Sequence, residues 1–322
     1  MVKRSFLALG VTLLVAGGMA GCSAATPDTA SDSTAPTTIR IAHNSNAGAL
    51  TARIAEEQGF LDGLDVEFTM VENVETLPPA LGKSFDIVLS TPTLLISAAS
   101  QGIDIAQVGG TSIENAENPT AVVLAGPDSG VTQASDLAGK TIGILNETGT
   151  LHLATKFWLD QAGVPLDSIN IVQVDLGSQQ DQLMSGRIDA VETVMPFMAA
   201  MQTTPGVVDL GQPHLQMADE IGLILWATSP AWAAENADAV ATFRAGLAKA
   251  VEWVDDPANE TAARASLQNF TGLPETVIAN FPIPTYEAGS RPQDLPIWLD
   301  AMERFAGFTG TVDLSKLVIA GE

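Results

Sequence analysis

The stretch Ile39-Arg40-Ile41-Ala42-His43-Asn44-Ser45-Asn46-Ala47-Gly48 decides the fold, because the chain repeats it as Thr141-Ile142-Gly143-Ile144-Leu145-Asn146-Glu147-Thr148-Gly149. In each copy an apolar, β-prone run ends in a polar loop, and helical periodicity follows. The helices stop at Gly59 and Gly163. Further on, Gly82-Lys83-Ser84-Phe85-Asp86-Ile87-Val88 precedes Pro92, and Gly186-Arg187-Ile188-Asp189-Ala190-Val191 precedes Pro196. The offset is 102 residues from Asn44 to Asn146 and 101 from Gly48 to Gly149; it is 104 from Gly59 to Gly163, Gly82 to Gly186 and Pro92 to Pro196. Gly, Asp and Pro are common at turns, so a single match means little. Five matches in order, within three residues of one offset, describe two lobes of like topology.

Around these phrases, short apolar runs alternate with helical patterns. LDVEFTMV, a Pro-interrupted helix near Leu77–Leu81, FDIVLS, TPTLLISAASQG, DIAQVGG and AVVLAG follow the first copy. This order predicts an α/β protein whose lobes are open mixed sheets flanked by helices. After the second copy come a further apolar strand, GLILWATSP, and helical patterns over Asn236–Val254, Thr261–Phe270 and Asp294–Ala306. Three helices with no new sheet should pack back on an existing lobe. The expected layout is lobe 1 from residues 38–125 plus 225–322 and lobe 2 from 126–224. Crossovers near Leu124–Pro127 and Trp226–Thr228 would form the hinge.

The 322 residues are enough for two ordinary cores. With 14 Lys+Arg against 38 Asp+Glu, the formal net charge is −24. A chain this acidic is not expected to bind nucleic acid or an anionic membrane surface, both of which call for basic patches. One Cys and three His form neither a disulfide framework nor a thiolate or imidazole metal cage.

Residues 1–22 carry Lys3-Arg4, an apolar run from Ser5 to Ala16, and Gly17-Gly18-Met19-Ala20-Gly21-Cys22, the pattern of a secretory signal. The last residues resemble the lipobox of bacterial lipoproteins, with Met19 where Leu, Val or Ile is usual. The resemblance implies lipidation of Cys22 and attachment to the outer face of the cell membrane. Residues 23–37 are Ser, Thr, Ala, Pro and Asp, a disordered tether reaching at most ~50–55 Å. Without Lys3 and Arg4 the 14 basic side chains become 12 and the net charge −26, which favours a soluble monomer.

Four phrases carry a wider resemblance: IRIAHNSNAGALTARIAEEQGFLDGLDVEF, FDIVLSTPTLLISAASQGIDIAQVGG, DLAGKTIGILNETGTLHLATKFWLDQAGV and GRIDAVETVMPFM. In order and spacing they resemble the substrate-binding lipoproteins of ABC importers in the nitrate, sulfonate/taurine, bicarbonate and thiamine-precursor group, from about residue 38 to the C-terminus. The resemblance implies a two-lobed periplasmic-binding-protein fold of the second type. It also implies a ligand held in a hinged cleft, delivery to ABC permease and ATPase subunits, no cofactor and no catalysis. The family often places an acidic residue immediately before the Pro of the second copy. Met195 stands there instead, and the nearest acid is Glu192.

Beyond Cys22 there is no Cys nucleophile, and no Gly-x-Ser-x-Gly elbow occurs. Enzymes of cofactor biosynthesis that share the fold include a pyrimidine synthase with a Cys-rich motif, which is missing. His43, His152 and His214 are scattered, so a transition-metal site is not expected. Anion capture survives. Asn44, Ser45 and Asn46 in lobe 1 and Asn146, Thr148, Gly149 and Thr150 in lobe 2 open helices whose free N–H groups favour negative charge; Thr91 and Thr93 do so after FDIVLS. Plain N-capping accounts for the same residues. Met195 and Trp226 are candidate apolar walls, and Phe197 reads as core. The expected ligand is a small organic anion such as an alkyl or aryl sulfonate or an aromatic carboxylate. The alternatives are a neutral or cationic heteroaromatic such as a thiamine-type pyrimidine, with Glu192 as counter-charge, or a ligand-sensing partner of a membrane kinase.

Overall fold

Each copy of the repeated phrase opens its own sheet in the computed structural model, which describes residues 37–319. The expected signal with Cys22, and the tether apart from Thr37, lie outside the described residues. The chain begins with β1 (Thr37–His43), α1 (Leu50–Glu57), β2 (Leu64–Met70), β3 (Ile87–Ser90), α2 (Pro92–Ser100) and β4 (Ala106–Glu114). It continues with β5 (Ala121–Ala125), β6 (Thr141–Ile144), α3 (Thr150–Gln161), β7 (Asn170–Gln173), α4 (Leu176–Met184), β8 (Ala190–Val194), α5 (Phe197–Gln202) and β9 (Val208–Gly211). After α6 (His214–Met217) come β10 (Ile221–Thr228), α7 (Pro230–Glu235), α8 (Ala237–Asp255), α9 (Glu260–Thr271), α10 (Glu275–Ile278), β11 (Thr285–Glu287) and α11 (Leu295–Phe305).

The sheet orders are β2-β1-β3-β10-β4-β11 and β7-β6-β8-β5-β9. β1 is parallel to β2 and β3, as β6 is to β7 and β8. The next strand in each sheet is antiparallel: β10 lies between β3 and β4, and β5 between β8 and β9. Residues 121–125 therefore pair in the second sheet and residues 221–228 in the first. The chain passes between the sheets at residues 115–120 and 212–220, not near Leu124–Pro127 and Trp226–Thr228 as expected. The reason is that β5 is buried throughout and β10 nearly so, leaving no alternation to mark where a sheet begins or ends.

The recurring Asp has a structural task. Asp86 Oδ2 accepts the Arg40 backbone N–H at 2.9 Å, and the Asp86 N–H donates to the Arg40 carbonyl at 2.8 Å. Asp189 makes the same pair of bonds with Thr141, both 2.8 Å. In each sheet a carboxylate thus satisfies a backbone donor on the neighbouring strand. Gly59 (φ +71°) and Gly163 (φ +73°) close α1 and α3 in the left-handed region that glycine enters without penalty.

One face of the first sheet is covered by α1, α8 and α9 around Ile39, Ile41, Leu50, Phe243 and Leu247; the other carries α2 and α11 around Val88, Leu95, Ile96 and Trp298. The late helices pack on the first sheet, and the three-residue β11, which the sequence did not announce, extends its edge. The second sheet buries Val123, Ile142 and Ile144 on one side and Val122, Leu124 and Val191 on the other. Leu153 of α3 joins the core of the first sheet, and Phe157 meets Phe305 edge-on, with ring centroids 6.4 Å apart.

Candidate functional site

A cavity of about 350 Å³ is lined from both sheets and lies within the ordinary size range of small-molecule sites. The first side supplies Asn44, Ser45, Asn46 and Ala47 ahead of α1, Ser112 of β4, and Leu223 and Ile224 of β10; Thr271, Leu273, Phe281 and Pro284 come from the stretch between α9 and β11. The second side supplies Ala121, Thr150 and Leu151 at the start of α3, Leu176, and Val194 to Phe197 at the junction of β8 and α5. The two crossings contribute Thr120 and His214. Loops that follow the carboxyl ends of parallel strands are where open α/β sheets bind ligands.

The first loop is held from behind by two buried rings. His43 Nδ1 donates to the Asn44 carbonyl at 2.7 Å, and burial lowers the pKa of this ring. Tyr286 of β11 donates its hydroxyl to the Ala47 carbonyl at 2.7 Å; burial raises its pKa. Within the loop, Asn44 Oδ1 accepts the Asn46 N–H at 3.1 Å and Asn46 Oδ1 the Gly48 N–H at 2.7 Å. Both side-chain oxygens are thereby used locally, leaving the Nδ2 amides and the Ser45 hydroxyl as donors. Gly48 is needed for close approach, since a Cβ there would stand 2.5 Å from Ile224 Cγ2.

The first crossing is fastened by Glu114, which is fully buried at the end of β4. Its carboxylate accepts the Thr120 N–H at 3.0 Å, the Ala121 N–H at 3.4 Å and the Thr120 hydroxyl. Burial pushes the Glu114 pKa up, against these bonds. Thr120 in turn accepts the Met195 N–H at 2.9 Å, tying the crossing to the end of β8. On the second crossing, His214 is 2% exposed, and burial holds its pKa down at about 4. At neutral pH its ring carries no charge. None of the lining residues is Asp, Glu, Lys or Arg, and among the described residues no group of three or more His, Cys, Asp or Glu could hold a metal ion.

A model of the NMT1/THI5-like family matches residues 48–260, well over half of the chain. The chain belongs to the NMT1/THI5-like family. Solved structures extend the likeness to whole molecules. The periplasmic aliphatic sulphonate binding protein SsuA from Escherichia coli is similar at 18% identity and TM-score 0.74, over 88% of this chain and 92% of that one. The alkanesulfonate-binding SsuA from Xanthomonas axonopodis pv. citri, bound to MOPS, is similar at 17% identity and TM-score 0.64, over 84% and 93%. The periplasmic nitrate-binding protein NrtA from Synechocystis PCC 6803 is similar at 15% identity and TM-score 0.67, over 86% and 84%. At these identities the likeness carries the fold, that of periplasmic binding proteins. No curated protein matches the chain in sequence.

In this NMT1/THI5-like chain, five residues singled out from the sequence line the cavity: Asn44, Ser45, Asn46, Thr150 and Met195. Seven do not: Thr91, Thr93, Asn146, Thr148, Gly149, Glu192 and Trp226. Thr91 caps α2 by accepting the Leu94 N–H at 3.2 Å, and its hydroxyl meets that of Thr93 at 3.1 Å. Asn146 and Thr148 face solvent, and Gly149 is the helix cap behind Thr150. Glu192 is buried and lies 2.7 Å from His152 Nδ1, so it is not offered as a counter-charge to a ligand. Trp226 is fully buried in the first sheet's core, edge-on to Phe243 at 6.1 Å, and is no wall of the cavity.

Phe197, read as core, lines the cavity. Sequence reasoning missed Ser112, Thr120, Phe281 and His214. They come from four separate segments and share no local pattern. The one available signal was that His214 is a lone His between two apolar strands.

Proposed function

We propose that the chain is an extracytoplasmic solute-binding protein that captures a small organic anion with an apolar body and delivers it to an ABC import permease. The observation that carries this is the composition of the cavity. Helix-opening residues of both sheets, Asn44–Ala47 and Thr150–Leu151, meet at one site whose remaining walls are mostly aliphatic or aromatic. Backbone N–H groups, Asn amides and hydroxyls can hold a sulfonate or carboxylate without a basic side chain. A cation finds no acid in the lining, since Glu192 is engaged by His152. Closure of the cleft about residues 115–120 and 212–220, attachment through Cys22 and a binding rather than catalytic role belong to the same reading. The sulfonate- and nitrate-binding names of the similar structures agree with it.

The test is titration calorimetry with alkyl and aryl sulfonates, aromatic carboxylates and size-matched primary amines. Sulfonates or carboxylates should bind and the amines should not. Tight binding of the amines would overturn the reading. A second reading, a neutral heteroaromatic, is favoured by Phe197 and Phe281 lining the same cavity without charged neighbours. Substituted pyrimidines in the same screen decide between the two.

A further inference from the structure

Six residues carry buried side-chain nitrogen or oxygen atoms with no hydrogen-bond partner among the described residues: Arg53, His152, Gln179, Thr193, His214 and Trp226. Only His214 lines the cavity. In its case neither ring nitrogen has a partner at full hydrogen-bond geometry, although the Thr150 backbone lies close enough to favour the protonated ring against the effect of burial. The other two histidines contrast with it. His43 bonds the Asn44 carbonyl, and His152 bonds Glu192. The plane of His214 is set by Trp298, which meets it edge-on with centroids 6.1 Å apart. A buried polar group left unpaired destabilises a fold, so its presence calls for a partner that arrives from outside.

Position gives the ring a second property. His214 opens α6 on the crossing from β9 to β10, and α6 packs against α3, whose first residues line the cavity. A molecule bonded to this ring touches the crossing itself as well as the walls on either side.

We infer that His214 is a ligand anchor: its neutral imidazole donates a ring N–H to an oxygen of the ligand's polar end and fastens the second crossing to the occupied cleft. A neutral imidazole offers one donor and one acceptor; the donated N–H is met by an oxygen acceptor such as a sulfonate, carboxylate or carbonyl. The inference rests on the reading of this cavity as the binding site.

Four proteins test it: the wild type, His214→Phe, His214→Leu and His214→Gln. Each is melted at pH 7 alone and with millimolar benzenesulfonate, propane-1-sulfonate, MOPS or benzoate, and the best probe is titrated calorimetrically. Without probe, His214→Phe or His214→Leu should melt at or above the wild type, because the unpaired group is gone. With probe, both should bind roughly 10- to 100-fold more weakly, the loss expected for a hydrogen bond to a charged group. His214→Gln, which keeps an N–H donor, should stay within a few fold of the wild type. Binding by His214→Phe within twofold of the wild type overturns the inference. So does melting of both apolar variants well below the wild type, which would give the ring a structural task. If the wild type binds none of the four anions, the anion reading falls and this inference, which rests on it, falls with it; weakened binding in the variants alone leaves both standing.

Discussion

The β1–α1 and β6–α3 connections start from one repeated phrase and end in different places. In the first, four consecutive residues, Asn44 to Ala47, reach the cavity and are held from behind by His43 and Tyr286. In the second, Asn146, Glu147 and Thr148 face solvent, and only the first helical residues, Thr150 and Leu151, reach the cavity. The two connections agree where backbone hydrogen bonding demands it, at Asp86 and Asp189 and at the glycines that end α1 and α3. They differ where a ligand would be met. The repeat therefore describes scaffold, and ligand chemistry has to be read from the cavity.

Even the scaffold is uneven, and the largest expected effect lies there. Besides the backbone bond to Arg40, Asp86 receives Arg40 Nε at 3.0 Å and Nη2 at 2.6 Å, and it is 5% exposed. Asp189 keeps its backbone bond, but Lys140 Nζ is 3.6 Å away and both side chains are about a third exposed. Asp86→Ala should cost about 3 kcal/mol of stability and Asp189→Ala about 1 kcal/mol, the range between a charge-assisted network and a single hydrogen bond. Urea denaturation at pH 7 measures both. Equal losses would show that the two sheets are fastened alike and would remove this asymmetry.

The next effect separates two buried rings by pH. His214 is held at about 4, against 6.5 in an unfolded chain, because burial disfavours its charged form. As pH falls below 6.5 the unfolded chain takes up the proton first, so the stability gained from keeping the ring neutral is complete above 6.5. It is lost progressively as pH falls toward 4. Between pH 7 and 4.5 the wild type should lose about 2 kcal/mol more than His214→Phe. The pKa of His43 is also lowered by burial, but its bond to Asn44 opposes the shift, and it is unchanged in the variant, so the difference isolates His214. Parallel urea curves for the two proteins at both pH values would break the contrast between a partnered and an unpartnered ring.

The scaffold was legible because its signals are local. Gly59 and Gly163 mark left-handed helix ends, and the phrases from Gly82 to Asp86 and from Gly186 to Asp189 mark turns into buried strands, so two like sheets follow from the repeat alone. The crossings were not legible because β5 and β10 are apolar on both faces and carry no register. The same lack of alternation misplaced Trp226: in β10 only Ile224 and Leu223, not the conspicuous indole, reach the cavity. Glu192 was misread because its partner, His152, is 40 residues away in sequence and meets it only in the fold. Residues such as Ser112, Phe281 and His214 meet at the cavity only because the chain crosses twice between the sheets. No window of sequence contains that fact.

The smallest effect returns to the two loops, where the comparison is sharpest. Asn46 and Asn146 both look like helix-opening asparagines, yet only Asn46 makes a cap, accepting the Gly48 N–H at 2.7 Å. α3 has Gly149 at its cap and no side-chain cap bond, while Asn146 stands exposed. Removing a cap typically costs about 1 kcal/mol, whereas a surface substitution away from such features stays within about 0.5 kcal/mol. Asn46→Ala should therefore lower the urea midpoint measurably and Asn146→Ala should not, with no ligand present. The same pair then reports on the cavity. Asn46→Ala removes a donor that faces it, so the affinity for whichever anion binds should fall, and Asn146→Ala should leave affinity unchanged. A loss of affinity in Asn146→Ala equal to that in Asn46→Ala would mean that the second loop turns inward when the cleft is occupied. The two connections would then be equivalent toward the ligand after all.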